Sequence, residues 1–251
     1  MDRVRTELAP GGIAEVIMSN PPVNAMPVAG WFEIADHVTR AGQDRDVRVV
    51  VLRAEGRGFN AGVDIKEMQR TAGHAALIGA NRGCYAAFAA VYECAVPVIA
   101  AVHGFCLGGG VGLAGSADIV IAADDATFGL PEVDRGALGA ATHLARLVPQ
   151  QLMRMMVYTC RSVPATRLAE FGTVLEVVPA AGLRAAARSL AAEIAAKDGQ
   201  IVRLAKQSLN GIDPVDIRRS YRYEQGFTYE LNLTGLADAA RQAFVDRKEG
   251  A

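Results

Sequence analysis

The chain of 251 residues lacks a surplus of either charge, with 26 Lys and Arg set against 27 Asp and Glu spread along its length. No basic stripe or polybasic run offers itself to a nucleic acid or to an anionic membrane. A small molecule is the expected partner. Cysteine is scarce: Cys84, Cys94, Cys106 and Cys160 form no C-x-x-C pair and mostly sit in apolar stretches, as packed thiols of a reducing compartment do. The four histidines, His37, His74, His103 and His143, show no H-x-x-x-H spacing that would set two ligands on one helix face, so no metal is expected. Long unbroken apolar runs are missing as well. The charge-free stretch Ala95 to Ala117 is interrupted by Pro97, His103 and six glycines, which argues against a membrane span, and Met1 to Thr6 leads into no signal-peptide core. A cytoplasmic protein is expected.

What is present is enough length for a substantial core and a regular alternation of elements. Short Val- and Ile-rich runs at 13–18, 47–53, 98–102, 119–122 and 174–178 predict strands. Helical patterns occupy 27–42, 74–92, 140–159 and 181–196, which gives an α/β layer architecture over residues 1–196. From 197 to 251 strand signal fades. Helices near 201–210, 214–231 and 237–248 form a tail too small for its own core, expected to pack on the body or on a neighbouring subunit.

The most informative segment runs from Val96 to Ala114, where a strand enters Gly108-Gly109-Gly110 and then a short apolar helix. Glycines at a helix start leave N–H groups unshielded, in a field that favours negative charge, and such a turn can hold an oxyanion. Gly110 to Gly115 also matches G-x-G-x-x-G, but the next strand follows too soon for the crossover helix of a dinucleotide site. A second turn, Gly56-Arg-Gly-Phe-Asn-Ala-Gly-Val-Asp-Ile-Lys-Glu-Met68, places glycine ahead of another helix start, so a pair of backbone donors is plausible on residues alone.

With Pro21-Pro-Val-Asn-Ala25 upstream and Phe128-Gly-Leu-Pro-Glu132 downstream, these segments resemble the crotonase superfamily, the enoyl-CoA hydratase/isomerase family, over nearly the whole chain. The resemblance implies a spiral of ββα units followed by helices that build trimers, often paired into hexamers. It implies an acyl-CoA substrate whose thioester oxygen is held by the backbone N–H groups of Val63 and Gly109, with no cofactor beyond CoA itself. The adenine end of CoA is then expected near Asn24, Ala25, Met26, Ala61 and Ile65, with Lys66 placed to meet phosphate and Arg57 and Lys248 as further cations.

Hydratases of the family use two glutamates. Here the second is present as Glu132, while the position of the first is Gly112. One carboxyl can still act as base and then acid if apolar neighbours such as Phe128, Leu130 and Val133 bring its pKa towards working pH. The resemblance therefore implies double-bond isomerisation or carbon–carbon hydrolysis ahead of ordinary hydration, and the bare Gly112 is expected to leave room for a bulky acyl group. Asp134 and His143 are second-rank catalytic candidates, with Tyr221 behind them. Cys84, Tyr85 and Phe88 are candidate pocket walls.

Segments 58–70, 93–97, 128–141 and 223–233 are similar to those of actinobacterial members of the family that open the last steroid rings. These hydrolyse a bicyclic indene-dione carboxyl-CoA formed in cholesterol breakdown. An enoyl-CoA isomerase or hydratase of fatty-acid degradation, and a non-catalytic acyl-CoA-binding subunit, are the competing expectations.

Overall fold

The computed structural model describes residues 3–249, the side chains of 244, 245 and 247–249 excepted. A six-stranded sheet forms the centre, in the order β1 (Val4–Ala9), β2 (Ile13–Met18), β3 (Val49–Ala54), β4 (Val98–Val102), β6 (Ile119–Ala123), β9 (Glu176–Val178). The β1/β2 pair is antiparallel and every later pair is parallel. A smaller sheet of β5 (Phe105–Leu107), β7 (Thr127–Gly129) and β8 (Val163–Pro164) branches off the C-terminal end of β4.

Burial on both faces explains the Val-rich strands. In β3, Val49 and Val51 point into one apolar layer and Val50 and Leu52 into the other, as period-two alternation requires. The first layer is closed by α8 (Leu183–Ala195), whose Leu183, Ala187, Ala191 and Ala195 form one buried stripe. Buried Glu15 of β2 lies under the same helix and takes Arg53, Arg184 and Arg188, so its carboxylate is ionised and paired.

The second, larger layer contains α1 (Val28–Gln43) and α3 (Ala75–Tyr92), with the short α2 (Ile65–Arg70) between them in the chain. Trp31, Ile34 and Val38 on α1 are fully buried. Small residues let the helices touch: a Cβ at Gly83 would stand 2.8 Å from Trp31 Cβ.

Two expectations are corrected. The edge strand β1 was not foreseen, because its mixed polar pattern gives no clean alternation. The single helix expected over 140–159 is two, α5 (Ala141–Leu144) and α6 (Gln150–Thr159), since Pro149 disfavours helix before it and starts one after it. The short helices α4 (Gly109–Ser116) and α7 (Ala165–Ala169) complete the body.

The tail comprises α9 (Gly199–Ile212), α10 (Ile217–Leu233) and α11 (Leu236–Glu249). It is fastened to the body by polar bonds. Lys206 Nζ meets Asp118 Oδ2 at 2.6 Å, and the Arg203 guanidinium donates to the carbonyls of Gly42, Asp44 and Val47. Further along, Gln225 Nε2 on α10 donates to Asn81 O at 2.7 Å.

Candidate active site

Two glycine turns meet at the C-terminal edge of the sheet. Asn60 pins the first: its Oδ1 accepts from Gly62 N at 2.8 Å and its Nδ2 donates to Asn24 O at 2.6 Å. Met26 N donates to Gly62 O, and Asp64 N donates to Met26 O, both at 2.9 Å. Asp64 then caps α2 through Lys66 N and Glu67 N. The second turn follows β5, which is held on one side by Leu107 N to Asn60 O at 2.9 Å and on the other by Gly108 N to Gly129 O at 3.0 Å. The turns abut so closely that a Cβ on Gly62 would stand 3.5 Å from Gly109 N.

Each glycine in the second turn answers a specific neighbour. Gly108 has φ +56°, and a Cβ there would strike Glu132 Oε1. A Cβ on Gly109 would strike the Trp31 indole, and one on Gly110 would lie 2.7 Å from Asn60 O. Gly109 is the first residue of α4, so its N–H is one of the helix's orphan donors. Among the described residues neither Gly109 N nor Val63 N has a protein acceptor. Both residues line one cavity.

Glu132 faces those amides in the same cavity. It follows β7 and starts a 3-10 turn, Val133–Arg135, that ends at Gly136 with φ +64°. Its Oε2 is out of contact with solvent and has no hydrogen-bond partner among the described residues. Burial, opposed by Arg135, pushes its pKa up to about 8. Such a carboxyl is mostly protonated at neutral pH yet close enough to ionisation to exchange a proton.

The expected space at Gly112 is not there. A Cβ on Gly112 would collide with the Phe88 ring, which α3 lays across that position. Phe88 is buried and packs edge-on against Trp31, with ring centroids 5.8 Å apart. Gly112→Glu alone is therefore expected to destabilise the chain by about 3 kcal/mol or more, through overpacking and a buried charge. Adding Phe88→Ala should recover a large part of that loss; urea denaturation of the two variants measures both.

The other expected site residues disperse. His143 does not border the cavity. It is buried behind it, its ring 4.7 Å from Phe88 and 4.9 Å from Tyr221, and burial pushes its pKa down to about 3, so the imidazole is neutral. Asp134 is exposed on the outer side of its turn, away from the cavity. Cys84 and Phe88 line the cavity, whereas Tyr85 lies under the Arg222 guanidinium, 3.9 Å from its ring centre.

Of the residues expected around CoA, Ile65 borders the cavity. Asn24 is buried and committed: its Nδ2 donates to Glu55 O and Gly58 O, and its Oδ1 accepts from Asn20 N. Met26 is fully buried, Ala25 and Ala61 are half-buried, and Lys66 and Arg57 are exposed. The Lys248 side chain lies outside the described residues.

The structure adds groups that spacing alone did not single out. Arg135 lines the cavity three residues after Glu132. From the tail, Tyr221, Thr228, Asn232 and Arg241 line it too. Glu224 on α10 accepts from Ala141 N at 2.9 Å and Thr142 N at 2.6 Å, and Thr228 Oγ1 accepts from Leu138 N at 2.9 Å. Thus α10 fixes the loop 137–140 that walls the cavity, a role hidden in sequence by the separation of the partners.

A parallel sheet with a branching second sheet, two abutting glycine turns and a buried carboxyl opposite them is accompanied by a clear relationship in sequence. The profile of the family described as enoyl-CoA hydratase/isomerase matches residues 9–249, and the chain belongs to this family. It is 64% identical over 235 residues to the (7aS)-7a-methyl-1,5-dioxo-2,3,5,6,7,7a-hexahydro-1H-indene-carboxyl-CoA hydrolase of Rhodococcus jostii, covering 94% of this chain and 91% of that protein. The protein of the same description from Mycobacterium tuberculosis is 63% identical over 236 residues, 94% of this chain and 96% of its own. A crystal structure of an enoyl-CoA hydratase/isomerase from Xanthobacter autotrophicus Py2 superposes with a TM-score of 0.87 at 30% identity, covering 99% of this chain and 94% of that one.

Proposed function

We propose that the protein hydrolyses a carbon–carbon bond in the ring of a bicyclic, steroid-derived indene-dione carboxyl-CoA. The observation that carries this reading is the single buried carboxyl, Glu132, set opposite two adjacent amides, with the family's other carboxylate position occupied by glycine under Phe88. The identity to two hydrolases named for that substrate supports it.

In this reading the amides of Val63 and Gly109 form the oxyanion hole for the thioester oxygen. Ionised Glu132 removes a proton as water adds to a ring ketone. The bond from the ketone carbon to its ring neighbour then breaks, its electron pair passes to the thioester as an enolate, and Glu132 returns the proton to carbon. One water is consumed and one new carboxyl is formed. CoA is bound as part of the substrate, near Asn24 to Met26, Ala61, Ile65 and Lys66, and the reaction needs no further cofactor.

The tail adds self-association to this reading. Ile201, Leu209, Ile212 and Leu233 are each more than half exposed, a distribution that suits burial between subunits of a homotrimer or homohexamer. No described helix is long and apolar enough to cross a membrane, and a cytoplasmic enzyme of cholesterol catabolism is the setting we propose.

Liquid chromatography with mass detection tests the reaction, using the bicyclic thioester, crotonyl-CoA and a β,γ-enoyl-CoA separately. Gain of one water on the bicycle, with no change in crotonyl-CoA, is expected. A shift in retention without mass change on the β,γ-enoyl-CoA, or hydration of crotonyl-CoA, with the bicycle untouched, would replace the reading by isomerase or hydratase. Binding of all three without turnover would mark a non-catalytic acyl-CoA-binding subunit.

A further inference from the structure

The helix α3 sets one stripe of side chains against the cavity. Leu77, Asn81, Cys84 and Phe88 follow at steps of four, three and four residues, and all of them border it. Side chains at that spacing leave one face of a helix, so Asn81 carries an amide into a stripe whose other members are apolar or a thiol. Leu77, Cys84 and Phe88 are each buried.

That amide is not used by the fold. Asn81 Nδ2 is out of contact with solvent and has no hydrogen-bond partner among the described residues, and Oδ1 has none there either. The bond that ties this residue to α10 is made by its backbone, whose O accepts from Gln225 Nε2 at 2.7 Å. Neighbouring polar groups around the cavity are committed. Thr228 Oγ1 accepts from Leu138 N and donates to Leu138 O, while Asn232 Nδ2 donates to Thr228 O at 2.7 Å and its Oδ1 accepts from Arg241. A buried amide without a partner is costly, and a bound acceptor removes that cost.

We infer that the Asn81 side-chain amide donates a hydrogen bond to a ring carbonyl oxygen of the acyl group, and so selects oxo-substituted acyl-CoA thioesters over hydrocarbon ones. This deepens the hydrolytic reading above and rests on it for the dione. There the thioester oxygen belongs to the amides of Val63 and Gly109, which leaves the ring carbonyls in need of a donor. The oxygen that meets Asn81 is neutral, because the amide bears no charge and the stripe around it is apolar; a ketone satisfies both conditions. With neither end of the amide held, a half-turn about χ2 exchanges Nδ2 and Oδ1, so the N–H can be brought to the ligand. An acyl group lacking the oxygen leaves the amide unpaired, and this penalty is the source of the selectivity.

The test uses three thioesters: the bicyclic dione and two analogues, each with a methylene in place of one ring carbonyl. Titration calorimetry is done in Glu132→Gln protein, to avoid turnover, with Asn81 intact and with Asn81→Leu added. With Asn81 intact, the analogue lacking the bonded oxygen is expected to bind about 10-fold more weakly than the dione. Asn81→Leu should weaken the dione by about the same factor yet bind that analogue as tightly or more tightly, since leucine meets a methylene without an unpaired polar group. A purely structural role would not move the two ligands in opposite directions, and the backbone bond to Gln225 survives the substitution. A dione that binds no better than either analogue, equal weakening of all three by Asn81→Leu, or a preference that Asn81→Leu leaves unchanged would overturn the inference. If Asn81→Leu does not fold, Asn81→Ala takes its place. Failure of the wild-type protein to hydrolyse the dione would remove the proposed reaction, whereas the methylene comparison, which involves no turnover, still reads whether Asn81 recognises a ring carbonyl.

Discussion

Hydrolysis of the bicyclic thioester is expected to fall about 10³-fold in Glu132→Gln, with substrate affinity changed by less than about threefold. Glutamine keeps the size of the side chain above Gly108 but cannot accept a proton. Single-turnover rates and equilibrium binding separate the two effects. Retained turnover would remove Glu132 as the base.

The same variant carries a pH signature. The Glu132 carboxyl sits at about 8 in the folded chain, raised by burial from an ordinary 4.5. As a base it must be ionised, so the wild-type kcat/KM should rise with pH towards a plateau above about 8. Stability should move the other way. Between the unfolded and folded pKa values the native state holds a proton that the unfolded state has lost, so this group's stabilising contribution diminishes as pH rises through that window. Glu132→Gln has no such proton, and its thermal midpoint should gain on the wild type as pH approaches 9. Parallel melts at pH 5 and 9 check the sign.

Deletion of one amide donor is the second large effect. Gly109→Pro is expected to lower kcat by about 10²–10³, the usual loss for one oxyanion donor. The substitution is unusually clean for the helix, because proline is tolerated at the first helical position, where the N–H has no helical acceptor. It is less clean for packing, since any added carbon meets Trp31. Gly109→Ala therefore serves as the comparison: it keeps the N–H and shares the collision, so the further loss on going from Ala to Pro measures the donor. Equal kcat in the two variants, both folded by circular dichroism, would remove Gly109 from the oxyanion hole.

The buried elements were the legible ones. Val49–Ala54 and Val98–Val102 announce themselves because both faces are covered, and Trp31, Ile34 and Val38 recur at helical spacing. Strand β1 stayed hidden because an edge strand keeps polar residues, and the break before α6 depended on Pro149 alone. At the site, the glycine turns could be read because glycine is tied to close backbone approach. That Arg135 also borders the cavity could not be, since it follows from the tight 3-10 turn after Glu132 and from the wall that α10 builds. Nor could the fate of Gly112, which is settled by a ring from another helix.

That ring has a consequence for how such a protein could change its chemistry over generations. A glutamate introduced at position 112 meets Phe88, and removal of Phe88 alone leaves a void among Trp31, His143 and Tyr221. Each step taken singly is a loss, and the gain requires both. Return to a two-carboxylate site is thus separated from the present chain by a valley that point substitutions cannot cross one at a time, so descendants of this sequence should diversify in their acyl pockets far sooner than they recover a second carboxylate.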